Sequence, residues 1–497
     1  MRNIVFLAAL LFVQTTVAQK IDTSSNRVQT DLKLNFKRIG TLKPKSTSEI
    51  NTSNWIIGCE TLDRDLTDYE QYKSYLAPLG IKRLRMQAGW AKTEKIKGVY
   101  DWAWLDKIIN DAASRGLEPW LETGYGNTIY QGGGGINLSA GIPSSNEALI
   151  AWDKWVTALV KRYKDKVKDW EVWNEPNFGD NEINKPEKVA ELNIRTAEII
   201  KKIQPNAKIS GLAMGHIDLN YADIFFETIH RKGKMNLFDN MTYHDYVYNP
   251  DANYDRVAEL RLVLDKYSKT IKLRQGENGS PSFGGGNRGA IGDYDWSELS
   301  QAKWNIRRML GDLGHDIESS ILGIIEMNYG ATSGPITKIN VKGIIESDTS
   351  KRAIRPKIAY YAMQNVASVF DDNLVRIKHL DDTHNVNATV PMGNVKYNKG
   401  TDRSIAVYGY EHKSSKKQVF TIWNNEYIPT NTNVAKNLNI TILNANIDQA
   451  VYVDILTGAI YEIPDNQIDK KNNKMVFKNI PIYDSPILIA DKSTLKF

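Results

Sequence analysis

One alternation restricts this 497-residue chain more than any other feature. Between about residues 55 and 368, short strand-like runs take turns with longer runs of helical periodicity, and the pairs number eight. Consecutive βα units pair their strands in parallel, and eight of them close the sheet on itself so that no edge stays open. The pattern predicts an α/β fold, a (β/α)8 (TIM) barrel over residues 51–370, with strands at 55–59, 81–86, 117–122, 169–174, 208–213, 238–244, 271–276 and 321–328.

The helices between them carry their own signals. Trp152, Trp155, Val156, Leu159, Val160 and Tyr163 fall on one apolar stripe, and Ser144 with Glu147 offers a capping box before it. Trp104, Leu105, Ile108, Ile109 and Ala112 line another face, and Gly116 follows where a helix end takes a left-handed residue. The longest loops are expected at 124–143, 279–293 and 329–355, on the barrel rim, where they can narrow a groove into a pocket suited to chain ends.

After residue 370 the grammar changes to short strands at 404–410, 418–423, 438–443, 450–456, 474–477 and 485–490, separated by turn residues. Residues 371–497 are therefore expected to form a C-terminal β-sandwich. Residues 19–50 can contribute strands to it, since Leu32, Leu34 and Phe36 alternate. Residues 1–18, with Arg2, an apolar run from Ile4 to Val13 and small residues at 16–18, read as a signal peptide. The run is too short to span a bilayer, so an exported protein without a membrane anchor, periplasmic or secreted, is expected.

The lone Cys59 can form no intramolecular disulfide and reads as a small buried residue. The net charge of +6 is spread along the chain rather than clustered, which argues against a nucleic-acid partner. No spacing of zinc or iron ligands occurs, and the Gly132 to Gly135 run lacks the lysine of a phosphate-binding loop, so no metal or cofactor is implied.

The chemistry concentrates at the strand ends. Asp169-Trp170-Glu171-Val172-Trp173 alternates as a strand does, and Pro176 stops the ladder just after Asn174-Glu175. Glu175 is thereby placed on the catalytic rim of the fourth strand. Glu277 closes the seventh strand, across the rim. Cleaving a glycosidic bond requires two carboxyl groups flanking the anomeric carbon, so Glu175 is read as acid/base and Glu277 as nucleophile. Asn174 can bind the substrate 2-hydroxyl, Arg85 on the second strand can hold a carboxylate ionised, and His244 and Tyr246 can orient Glu277 or bind hydroxyls. Trp90, Tyr125, Tyr130 and Tyr329 are candidate stacking surfaces for sugar.

With Trp173-Asn174-Glu175-Pro176-Asn177 and the position of Glu277, the chain resembles the retaining glycoside hydrolases of clan A, whose two glutamates end barrel strands four and seven. Within that clan it is most similar to family 39, which contains β-xylosidases and α-L-iduronidases and adds a β-sandwich to the barrel. Gly276-Glu277-Asn278-Gly279 departs from the Thr-Glu-aromatic pattern of that family, so Glu277 corresponds by position. The resemblance implies an oligosaccharide or polysaccharide substrate and a double-displacement exo-glycosidase, with terminal β-D-xylose as the favoured sugar. A uronide-cleaving enzyme is the alternative, with Arg64, Lys92 or Arg288 as donors to the sugar carboxylate. A non-catalytic glycan-binding protein is the further one.

Overall fold

In this computed structural model the described residues are 32, 34–137, 140–178, 182–285, 289–329, 339–378, 405–471 and 474–497, with the backbone of short strands at 386–389, 396–397 and 401–402. The expected signal peptide and Arg288 lie outside them. Eight parallel strands close a barrel. They are β1 (Trp55–Gly58), β2 (Arg83–Gln87), β3 (Glu118–Thr123), β4 (Asp169–Val172), β5 (Lys208–Met214), β6 (Asn240–His244), β7 (Lys272–Asn278) and β8 (Glu318–Leu322). The helices that follow them in turn, α1 to α8, are Tyr69–Leu79, Ala103–Ser114, Asn146–Tyr163, Pro186–Ile203, Leu219–Arg231, Tyr254–Asp265, Glu298–Gly314 and Ile358–Val369.

The two faces of the barrel sheet divide the residue types. Leu84, Met86, Leu121, Trp170, Val172, Ile209, Met241 and Ile321 belong to the buried core that includes the helix stripes, while the alternate positions carry Arg85, Trp120, Glu122, Glu171, Thr242 and Arg274. Period-two alternation puts this second set inside the barrel. The interior is layered: the guanidinium of Arg85 sits 5.4 Å from the Trp120 ring centroid and that of Arg274 4.7 Å.

Two local expectations are corrected. The eighth strand is 318–322 rather than 321–328, because its first residues are polar and are held by charge and hydrogen bonding rather than apolar character: Glu318 binds Arg83 and Arg274, and Ser319 donates to Asp312. Met327–Asn328 pairs instead with Ile339–Asn340. The cap of α3 is Ser145, whose Oγ accepts from the Ala148 N–H at 3.1 Å, while Glu147 turns outward to Lys97. Gly116 does adopt the left-handed conformation at the end of α2, with φ 68°.

The C-terminal region forms a β-sandwich. Its larger sheet runs Lys37–Thr41, Ala459–Glu462, Ala450–Asp454, Ile487–Asp491, Gln418–Asn424, Ile405–His412 and Leu374–Arg376. The smaller one contains Val386–Thr389, Lys436–Leu443, Lys474–Ile482 and Ile468–Lys471. Phe420 and Ile422 point between the sheets with Ile440 and Phe477, whereas Val419 and Trp423 join the barrel's core. The N-terminal strand is 37–41, after the alternating residues; Leu32, Leu34 and Phe36 pack against the sandwich core. Helix α7 docks the two parts: Lys303 forms a buried ion pair with Asp484 at 2.7 Å, and Arg307, itself paired with Asp251 of the barrel, donates to Tyr427 O at 2.9 Å and Asn425 O at 3.2 Å.

Candidate active site

Glu175 reaches the barrel mouth through unusual backbone. Trp173 and Glu175 adopt φ of 66° and 49° beyond β4, and Leu212 and Ala213 of β5 adopt 74° and 46°. A left-handed conformation costs a residue with a Cβ about 1–2 kcal/mol. Neighbouring strands hold it here: the Trp173 N–H donates to Thr123 O at 3.1 Å, and the Glu175 N–H donates to Ala213 O at 2.8 Å. Glu277 lies on β7 where the register slips against both β6 and β8, and such irregularities re-aim side chains.

The two acids meet. One oxygen of Glu175, one of Glu277 and a ring nitrogen of His244 all lie within 4.8 Å of one another. His244 Nδ1 is 2.9 Å from Glu175 Oε1 and 3.7 Å from Glu277 Oε2. These are donor types that could share a metal ion, and they equally suit proton handling between two carboxyls.

Arg85 organises the floor. Its Nε donates to Glu171 at 2.7 Å, its Nη1 to Glu60 at 2.5 Å and Glu277 at 3.1 Å, and its Nη2 to Glu122 at 2.8 Å and Asn174 Oδ1 at 2.8 Å. Four carboxyl groups thus meet one fully buried guanidinium. Burial works against the Arg85 charge, but Glu171, Glu60, Glu122 and Glu277 outweigh it and hold the group charged.

The acids divide in response. Burial is the largest influence on Glu277 and acts upward, yet His244, Arg85 and hydrogen bonds from Tyr246 and Glu60 bring its pKa below the ordinary value. Glu60 goes the other way, driven up by burial and then by the Glu277 charge, and Glu122 is driven up by burial and by Glu171 and Glu60. With Glu60 carrying a proton, its hydroxyl can donate to the Glu277 carboxylate.

The remaining sequence candidates fall into two groups. Asn174 donates through Nδ2 to the Tyr125 hydroxyl at 2.7 Å, and the Tyr246 hydroxyl donates to Glu277 Oε1 at 2.6 Å, so both are in the site. Tyr329 is near enough for its hydroxyl to feel Arg64, Glu277 and Glu60, with burial the chief cause of its raised pKa. Trp90 is a correction: it is 0% exposed, stacked with Tyr130 and Trp155, and bonded to Glu94, leaving no face for a sugar. Lys92 is engaged by Leu62 O and Asp65, each at 2.6 Å. Arg64 lies 4.9 Å over the Tyr125 ring. Cys59 is buried, and burial pushes its thiol up.

Sequence reasoning missed Glu60, Glu122 and Glu171. Glu122 and Glu171 are register partners on β3 and β4, a relation that individual strand patterns do not reveal. The inward phase of Arg85, which its strand did show, was the available signal.

A barrel with two opposed glutamates at its mouth, one held ionised, defines a glycoside hydrolase of the (β/α)8 type. Residues 41–269 match the model of Glycosyl hydrolases family 39, and the closed eight-strand parallel barrel fits a clan A (β/α)8 glycoside hydrolase. The matched stretch ends before β7 and Glu277. A family 39 glycoside hydrolase from Bacteroides cellulosilyticus WH2 has a TM-score of 0.61 at 17% identity, over 91% of this chain and 83% of that one. A monomeric beta-xylosidase from Caulobacter crescentus CB15 has a TM-score of 0.56 at 15% identity, over 91% and 97%. At such identities the likeness is one of fold. A 6-phospho-beta-glucosidase from Clostridium longisporum is 22% identical over 332 residues, 56% of this chain and 69% of that protein.

Proposed function

We propose that the protein is an exported, retaining exo-glycosidase that releases terminal sugars, β-D-xylose first among them, from oligosaccharides. The observation that carries this reading is the approach of the Glu175 and Glu277 oxygens to within 4.8 Å. Retaining enzymes hold their carboxyl groups about 5–5.5 Å apart, and inverting ones about 6.5–9.5 Å to admit a water. Glu277, ionised and bonded to Arg85 and Tyr246, attacks the anomeric carbon. Glu175 gives its proton to the leaving oxygen and then takes one from the water that hydrolyses the glycosyl ester. Asn174 retains a second amide N–H for the 2-hydroxyl. The xylose preference is supported by the similarity to the Caulobacter beta-xylosidase fold, and export by the N-terminal sequence. The test is hydrolysis of a panel of nitrophenyl xyloside, arabinoside, glucoside, galactoside and uronide, followed by proton NMR. Retention requires the product anomer formed first to match the substrate; the opposite anomer would overturn the mechanism.

One observation favours an acidic sugar as the second reading. Lys342 is buried with its Nζ 5.2 Å from the Tyr246 ring centroid, and burial brings its pKa down to about 8 while the Glu277 charge acts upward. A cation there could face a uronate or a phosphate, in keeping with the name of the Clostridium relative. Faster turnover of the uronide than of the xyloside decides for it.

A further inference from the structure

The turn that carries Glu175 continues as a single 3₁₀ turn, Pro176–Phe178. Glu175 is 5% exposed, yet Phe178 is 49% exposed. An exposed phenylalanine alone is ordinary. This one is held in place by specific bonds: Asn177 Oδ1 accepts from the Gly215 N–H at 2.8 Å, and Asn177 Nδ2 donates to His216 O at 3.1 Å and lies 3.2 Å from His216 Nδ1. The loop after β4 is thereby strapped to the loop after β5. The exposed His216 ring lies 4.8 Å from Phe178, centroid to centroid, tilted by 40°.

Gly215 shows how close this pair is to the acid. A Cβ at that position would sit 2.1 Å from Phe178 Cε2 and 3.0 Å from Glu175 Cδ, so the ring edge and the carboxyl rest against the same spot on the backbone. The groups bonded to Glu277, namely Arg85 and Tyr246, are a different set from those that fix Phe178 and His216.

We propose that Phe178 and His216 form the binding surface for the leaving group, a platform on which the apolar face of the pyranose ring released by Glu175 stacks. The proposal rests on the reading of Glu175 as the acid. An acid must reach the glycosidic oxygen, so the ring attached to that oxygen lies on the acid's own side of the site, where this platform stands. A pyranose presents a face of C–H groups that an aromatic ring can cover, removing apolar surface from water.

The experiment compares two substrates with the same departing bond position and different leaving groups. Xylobiose requires the platform, whereas β-xylosyl fluoride releases only fluoride; if the panel identifies another sugar, its disaccharide and fluoride are used. In Phe178→Ala the ratio of kcat/KM for disaccharide over fluoride is expected to fall about 5–10-fold, chiefly through KM, and Phe178→Trp is expected to restore it. The ratio does not depend on the fraction of folded enzyme. An unchanged ratio in Phe178→Ala overturns the platform. Absence of wild-type turnover on every glycoside of the panel overturns the functional reading itself, a result distinct from the first.

Discussion

The two ends of the barrel interior are built from the same residue types and reach opposite electrostatic outcomes. At the N-terminal end, Arg83 and Arg274 face Asp169 and Glu318, two cations to two anions, with Arg274 3.0 Å from Asp169 and 2.7 Å from Glu318. At the C-terminal end, beyond Trp120, four carboxyls crowd Arg85. Buried charge is stable where it is matched and hydrogen-bonded. The lower end matches its charges one for one and reads as framework; the upper end carries more acid than base, and that excess pulls carboxyl pKa values apart, which is what acid/base chemistry requires.

The comparison is tested most severely by paired substitutions. Glu277→Gln at the upper end is expected to lower kcat by about 10⁴ or more, and Glu175→Gln by about 10²–10⁴, whereas Glu318→Gln at the lower end changes kcat less than about threefold. Steady-state rates on the panel substrate check this. A large kcat loss in Glu318→Gln would erase the distinction.

Next in size is the exchange of either arginine. Arg85→Met strands four acids around one site and is expected to cost about 3–5 kcal/mol of stability together with most of the activity. Arg274→Met should cost a comparable amount, with kcat per folded molecule preserved. Denaturant titration alongside active-site-normalised rates separates the two outcomes.

The pH dependence of stability should have one sign for Glu318 at the lower end and the opposite sign for Glu60 and Glu122 at the upper end. Glu318 is held at about 2 against its ordinary 4.5: burial, the largest influence, acts upward but is outweighed by Arg274 and Arg83. Its contribution is present above about 4.5 and is lost as pH falls towards about 2. Glu60 and Glu122 have raised values, so their contribution is present below the ordinary 4.5 and is lost as pH rises through the raised pKa. Melting curves of Glu318→Gln should lose part of the acid-side slope, and those of Glu122→Gln part of the opposite one.

The smallest effect belongs to Glu60→Gln. Its amide keeps a donor towards Glu277 and removes a titrating proton, so activity near neutrality should change only a few-fold while the alkaline limb of the kcat/KM profile moves. An identical profile would show that Glu60 does not share a proton with the nucleophile.

Much of this was legible in the sequence, for reasons that can be named. Glu175 and Glu277 stand at strand ends, and Arg85 lies on the inward phase near the end of its strand, so local pattern suffices for them. Glu122 and Glu171 become neighbours only once β3 and β4 are in register, and Glu60 lies two residues past β1, where periodicity has ended. The eighth strand was misplaced because its inward and terminal positions are polar, held by Arg83, Arg274 and Asp312 instead of by the apolar shell. Trp90 was misassigned because an aromatic near a strand end looks the same whether it faces a ligand or other rings.

The pairing of Lys37–Thr41 with Ala459–Glu462 gives the protein a timetable. The earlier segment leaves the ribosome several hundred residues before the strand that completes it, a wait of roughly tens of seconds at about 5–20 residues per second. Until then it is an unpaired edge. Premature termination or proteolytic trimming at the far end of the chain would therefore reopen a seam at the near one.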